Sequence, residues 1–439
     1  MSDAAIAPRT DARTSSGASL ALTILAIALA ITAFALVGLG EKGTVPSKIV
    51  GYGAMFAIGY LAGHTLVRRL APAADVAFFP SAALLSGIGF AMVYRLDPHK
   101  TTDETLWLVV GLVAFAVTLF AVRDHRRLDA FTYTIGFVAV GLLLLPILPG
   151  LGKEINGSRV WVGFGPLTFQ PAELGKVLMV VFLASYLTTK RELLQEARAR
   201  IGPFHVPELK HLGPVLVAWG VSLAILFLEK DLGASLLYFA IFVVMLWTAT
   251  ARVAYLVFGG LLFVAGALMA YASFSHVQER VVIWQHALDP KEIHGNGYQL
   301  AQSEFAMATG GIGGSGLGQG QPQLIPFAST DFVFAAIGEE LGMLGTTGVL
   351  LLFLVLVGKG LKTATAQQDS FGKLLAAGLA AILGIQTFII AGGVMRVIPL
   401  TGVTLQFVSY GGSSLVANYI LLALVVWISS GPIPERRMQ

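Results

Sequence analysis

Apolar residues run along this chain in blocks separated by short polar punctuation, and the blocks are long enough to cross a lipid bilayer. A hydrocarbon core of about 30 Å needs roughly 20 apolar residues in helical form. The pattern predicts spans near 19–40, 49–67, 77–94, 105–122, 130–148, 172–188, 213–228, 232–249, 253–273, 331–357, 373–395 and 412–430. The expected fold is therefore all-α, a polytopic membrane protein of about twelve transmembrane helices. Its largest inter-span loop, 274–330, lies between spans nine and ten. Residues 1–18, rich in Ala, Ser and Thr, read as a disordered tail. The first span is longer than a signal-peptide core and has no clear cleavage site after it, so it reads as a retained anchor.

Composition agrees. The chain of 439 residues is 56% hydrophobic and 12% charged, with a mean hydropathy of +0.77. Soluble domains carry about 25% charged residues. With no cysteine, thiolate catalysis, disulfides and cysteine metal sites are all excluded. The net charge of +4 is small, but its distribution is informative. With the N-terminus placed in the cytoplasm, 18 basic residues fall on inside segments and 10 on outside ones, with Lys176 inside a helix. The basic clusters alternate from loop to loop, as the positive-inside rule requires. Both termini are then cytoplasmic, and the two long segments 149–171 and 274–330 face outward. The cytoplasmic loop 189–212 is basic and has no sign of an enzymatic domain, which moves any chemistry to the outer face or into the membrane.

Several residues in those outer segments carry chemistry. Asp331 sits where the long loop becomes a helix, and two readings stand: a helix cap beside Ser329, or a carboxylate base at headgroup level. Glu339 and Glu340 lie two turns deeper, where ionisable groups are costly. Glu173 and Lys176 share a helix face, so a structural ion pair competes with anion binding by Lys176. Lys230 and Asp231 occupy a tight turn, where Lys230 suits a phosphate and Asp231 suits a cap. Arg159 suits bidentate phosphate contact, and Trp161 suits a sugar face or the interfacial belt. The broken stretch 396–414 begins at Arg396 and ends in small residues, among them Ser409, Ser413 and Ser414. Its backbone and hydroxyls suit an anion in a cavity, against a re-entrant turn as the structural reading. A literal G-x-G-x-x-G at Gly311, Gly313 and Gly316 has no strand before it and reads as a flexible hinge, not a nucleotide site. His276, His286 and His294 lack metal-ligand spacing.

Taken together, these segments resemble the SEDS family (shape, elongation, division and sporulation), which includes RodA, FtsW and SpoVE. The resemblance rests on NGSRVW with FQPAELGK, then DLGAS, GYQLAQSEFAMATGGIGGSGLGQG, TDFVFAAIGEELGMLG and PLTGVTLQFVSYGGSSL, in that order over residues 154–430. It implies a ten-helix glycosyltransferase core over 77–430, preceded by an extra N-terminal pair over 19–76 and followed by a cytoplasmic tail at 431–439. Twelve spans match actinobacterial RodA-like members. It further implies a peptidoglycan glycosyltransferase of the bacterial plasma membrane. Such an enzyme polymerises lipid II into undecaprenyl-pyrophosphate-linked glycan in elongation or division, beside a class B penicillin-binding protein transpeptidase. No nucleic acid is involved. Asp331 corresponds to the family's essential aspartate, Arg159 and Trp161 to its loop residues, and Glu173 and Lys176 to its membrane-embedded pair. Arg159, Lys176, Lys230 and Arg396 are the candidates for the leaving pyrophosphate. No cofactor is required by the sequence, although a divalent cation (Mg or Mn) would suit the same step. A lipid II flippase and a non-catalytic scaffold for the transpeptidase are the rival functions. The chain departs from common members at Ile325–Thr330, at Glu229-Lys230-Asp231 and at Leu405-Gln406-Phe407.

Overall fold

The computed structural model describes residues 12–155, 158–164, 167–195, 199–201, 204–206, 217, 220–221, 223–225 and 228–431. Among them, ten helices are long and apolar enough to cross a membrane. In chain order the helices used below are α1 (Ala12–Lys42), α2 (Ile49–Leu70), α3 (Phe78–Leu96), α4 (Thr101–Ala121), α5 (Thr132–Leu144), α6 (Pro171–Gln195) and α7 (Leu232–Thr250). There follow α8 (Val253–Ser273), α9 (Ser275–His286), α10 (Tyr298–Gly310), α11 (Val333–Ala366), α12 (Ser370–Val394) and α13 (Gly412–Ser429). The span expected at 130–148 is the shorter apolar α5, continued by a 3-10 turn at Leu145–Ile147. The span expected at 213–228 lies largely outside the described residues.

Burial separates a protein core from a lipid-facing shell. Helices α3, α12 and α13 are largely buried along their most apolar stretches, whereas α2, α4 and α8 bury only a minor part of theirs. Exposed Leu, Val and Phe side chains on α2, α4 and α8 face the bilayer, which is as apolar as a protein core. The chain is a multi-pass membrane protein on these grounds.

Long-range hydrogen bonds sort the loops to two ends. At one end, Arg280 donates to Leu400 O, Trp284 to Arg396 O, and Gln170 N to Ser413 Oγ. At the other, Lys359 pairs with Asp75 at 2.9 Å and His125 with Asp369 at 3.4 Å. The second end holds the basic positions Arg68, Arg126 and Lys359.

The expected outer loop 149–171 is a small antiparallel sheet of β1 (Gly152–Ile155), β2 (Ser158–Phe164) and β3 (Leu167–Phe169). The signal is the alternation in Ser158-Arg-Val-Trp-Val, which puts Val160 and Val162 on the buried face and Arg159 and Trp161 together on the other. Lys153 pairs with Trp161 in register.

The glycine run is not a hinge. Helix α11 is broken at Gly342, whose φ of +65° and ψ of −164° are non-helical. The run crosses that break and pairs the backbone groups it frees. Ser315 N and Gly316 N donate to Glu339 O and Glu340 O, while Met343 N and Leu344 N donate to Gly311 O and Ile312 O. Unpaired backbone at membrane depth costs several kcal/mol per group, so the glycines and the kink require each other. Glu340 beside it accepts from Arg95 Nε at 2.9 Å and from Gly318 N at 3.0 Å, which neutralises a fully buried carboxylate.

Candidate active site

Asp331 lies just before α11 and does not cap it, because the N-cap position is Phe332 and no side chain caps the helix. The carboxylate is instead turned toward the 396–411 stretch. Gly402, at φ +75°, comes so close that a Cβ there would sit 3.8 Å from Asp331 Oδ2 and 3.9 Å from Arg280 Nη2. Aspartate and arginine therefore share one small space across Gly402. Burial raises the Asp331 pKa to about 6, the Arg280 charge and the Thr330 hydroxyl oppose that rise, and the Asp231 charge adds to it.

The peptide carrying Asp331 is held from several sides. Ser409 Oγ donates to Thr330 O at 2.6 Å and accepts from Leu405 N at 2.9 Å. Tyr410 N donates to Ser329 O at 2.8 Å. Phe327, in a left-handed turn at φ +56°, accepts from Asp331 N at 3.2 Å. Lys100 Nζ reaches Ser329 Oγ at 3.5 Å and lies over the Tyr410 ring. Ser409, which the sequence offers as a ligand contact, uses its hydroxyl to fasten the loop that carries Asp331. The other two serines are likewise engaged within the chain. Ser413 Oγ accepts from Gln170 N, and Ser414 Oγ accepts from Thr404 and Asn418.

Asp231 caps α7 as expected, accepting from Ala234 N at 2.8 Å. Burial raises its pKa, and the Arg280 charge works against that. Glu229 next to it is buried with neither carboxylate oxygen partnered, and burial pushes it up to about 8. Lys230 is exposed in a left-handed turn at φ +55°, and its charge together with that of Arg280 helps hold His276 below its usual pKa, after burial as the main cause.

Glu173 and Lys176 form the expected pair at 2.5 Å, and Lys176 also donates to Gln386 Oε1 at 2.8 Å. Lys176 is 2% exposed, so its ammonium is committed to these partners rather than open to a phosphate. Gln386 in turn donates to Thr404 O at 2.9 Å, which ties α6 and α12 to the irregular stretch. Removing one partner of a buried pair costs about 3–5 kcal/mol. Lys176→Met is expected to lower stability by that amount, and adding Glu173→Gln to recover part of it, as read by thermal unfolding in detergent. Equal melting of the single variant and the parent would show that the pair does not hold the fold.

Among the described residues, no hydrogen bond or ion pair joins Arg396 to Asp331. Its guanidinium pairs with Glu304 of α10 at 3.1 Å, and its carbonyl accepts from Trp284. Among the described residues, no hydrogen bond or ion pair joins Arg159 or Trp161 to Asp331, although both lie in the sheet that packs beside α6. Arg280 is the residue sequence reading passed over. It looked like one of several loop cations, and only its contact with Leu400, 120 positions away, sets it beside the aspartate.

Arg280 also marks the rim of a cleft of about 550 Å³ between α7, α8, α9 and α12. The lining is almost wholly apolar, including Leu236, Phe239, Leu262, Ala270 and Ile389, with Thr401 near Arg280. A carboxylate, a guanidinium and a long apolar cleft thus meet at one end of the bundle. Among the described residues, no three His, Asp or Glu side chains are grouped to hold a metal ion.

The FtsW/RodA/SpoVE family model, described as cell cycle protein, matches residues 77–431. The peptidoglycan glycosyltransferase RodA of Mycobacterium tuberculosis (strain H37Rv) is 43% identical over 426 residues, covering 94% of this chain and 90% of that protein. Stage V sporulation protein E of Bacillus subtilis (strain 168) is 33% identical over 358 residues, covering 79% and 94%. Among solved structures, a chain of a peptidoglycan synthase complex that coordinates polymerization and crosslinking aligns with a TM-score of 0.65 at 29% identity, covering 81% of this chain and 97% of that one. The Rod shape determining protein RodA of Thermus thermophilus aligns at 0.57 and 27% identity, covering 81% and 96%. The family match spans every helix from α3 to α13, and the mycobacterial alignment reaches over nearly the whole chain; the protein belongs to the FtsW/RodA/SpoVE family.

Proposed function

We propose that this chain polymerises lipid II into glycan strands at the outer face of the bacterial plasma membrane, with Asp331 as the general base. The chain is a peptidoglycan glycosyltransferase, the activity named in its 43% identical relatives. The observation that carries the finer reading is the meeting of Asp331 and Arg280 across Gly402 at the rim of an apolar cleft. A lipid-linked donor needs all three features: a base for the acceptor, a cation for the diphosphate and an apolar slot for the isoprenoid.

The acceptor sugar hydroxyl attacks the anomeric carbon of the donor, and its proton passes to the Asp331 carboxylate. The new glycosidic bond forms as the bond to the pyrophosphate oxygen breaks. Arg280, and Lys230 in the neighbouring turn, neutralise the charge that develops on the leaving group. Serving as a base requires a pKa near the working pH. A value near 6 keeps Asp331 ionised at neutrality and basic enough to accept a proton.

The basic clusters at the opposite end support an outward orientation of the Asp331 end. The partner we propose is a class B penicillin-binding protein, supported by the match to a chain from a complex that both polymerises and crosslinks. We also propose α1 and α2, which precede the family match, as an accessory pair on the glycosyltransferase core.

Reconstituted protein given lipid II without ATP or an ion gradient is expected to yield polymer. Headgroup translocation without polymer would favour a flippase. Protonating Asp331 removes the base, so activity is expected to fall as pH drops through about 6. In Arg280→Gln that acid limb is expected to shift upward, because the cation that favours the ionised carboxylate is gone. Initial rates measured from pH 5 to 8 test both, and a flat profile over that range would count against Asp331 as the base.

A further inference from the structure

A second cavity, of about 350 Å³, lies between α10 and the 315–325 loop and plays no part in the chemistry above. We propose that it is a saccharide subsite that holds the glycan strand outside the bond-forming centre. The inference rests on the polymerase reading only for the identity of the strand.

The floor of the cavity is Glu339, two turns into α11 and about 9 Å along the helix from Val333 at 1.5 Å per residue. Its Oε1 accepts from Gln321 N at 2.7 Å, but Oε2 has no partner, although the residue is only 5% exposed. A buried carboxylate oxygen left without a donor is expensive, and a ligand hydroxyl would satisfy it. Gly320 keeps the approach open, since a Cβ there would lie 3.2 Å from Glu339 Cδ and 3.0 Å from Ser315 Oγ.

The walls supply what a sugar needs. Gln302, Phe305 and Thr309 repeat along one face of α10, and Gln319, Gln321 and Leu324 close the other side. Carboxamides pair with hydroxyl and acetamido groups, while the exposed Phe305 and Leu324 offer apolar surface to a pyranose face. A lipid tail is disfavoured, because Gln302, Thr309, Ser315, Gln319, Gln321 and Glu339 make about half of the lining polar. A metal ion is disfavoured because Glu339 is the one carboxylate among the lining residues, and Arg95 donates to Gly320 O at 2.8 Å next to it.

The test uses the purified full chain and a lipid-free tetrasaccharide of β-1,4-linked N-acetylhexosamines. Gln302→Ala/Gln319→Ala, two residues at the cavity mouth, and Glu339→Gln are compared with the parent, with thermal unfolding as a folding control. Gln319→Ala alone, on an exposed loop residue, serves if the others fold poorly. We expect at least five-fold weaker tetrasaccharide binding and a shift of the polymer toward shorter strands. Binding equal to the parent in folded variants, no binding by the parent, or a Glu339-dependent Mn²⁺ site would each overturn the proposal. Asp331→Asn separates the two ideas: it is expected to keep tetrasaccharide binding while polymerising about 10²–10⁴-fold more slowly. If it polymerises at the parental rate, the catalytic reading fails while the subsite stands on its binding data.

Discussion

Asp331→Asn is expected to lower the rate of lipid II polymerisation by about 10²–10⁴-fold, the usual contribution of a positioned general base. The amide keeps the shape of the carboxylate and removes its ability to take a proton. Stability is expected to move the other way or not at all. The folded pKa of about 6 lies above the ordinary value of 3.8, so the native state holds the proton more tightly than the unfolded chain. The ionised carboxylate therefore disfavours the fold above pH 6, and that penalty fades as pH falls from about 6 toward 3.8. A neutral side chain escapes it at every pH. Thermal unfolding of the variant in detergent at pH 7.5, set beside its polymer yield, checks both halves. Near-parental polymer from a well-folded Asp331→Asn would remove the aspartate from the mechanism.

Gly342→Val is expected to abolish accumulation of folded protein. Two effects add. A β-branched residue at φ +65° is strained by roughly 1–3 kcal/mol. Its Cβ would also lie 2.3 Å from Gly314 N and 2.5 Å from Ile312 O, both backbone atoms of the segment that pairs the broken helix. Pushing that segment away exposes carbonyls and amides at membrane depth, each worth several kcal/mol when unpaired. Size-exclusion profiles of the detergent-extracted variant report the outcome. A monodisperse peak at parental yield would mean that the threaded glycine run does not hold α11.

These two residues differ in how much the sequence reveals about them. Asp331 stands out because a charge ends a long loop and begins an apolar block, a contrast visible in a short window. What the window could not settle was whether it caps the helix. Asp231, in a similar position, does cap, and only the backbone geometry tells the two apart. At the glycine run the residues are visible in the sequence but their role is not, because a hinge and a tightly packed crossing have the same composition. The deciding contacts join Gly311–Gly316 to Glu339–Leu344.

Periodicity determined the placement of most spans, and charge alternation the division of the loops between two ends of the bundle. Both are local properties, set by what a bilayer accepts in helical form and by where cations can stay hydrated. The Glu173–Lys176 pair was readable for the same reason, since three residues on a helix make neighbours. The tertiary structure alone decided that Arg280 meets Asp331, that Ser409 holds a backbone carbonyl, that Arg396 turns to Glu304, and that Lys176 is closed off by Gln386. Each of those contacts joins residues that lie far apart in the sequence, from Arg280 and Asp331 to Lys176 and Gln386 at 210 positions, and no regular repeat along the chain encodes which distant segment will lie alongside which.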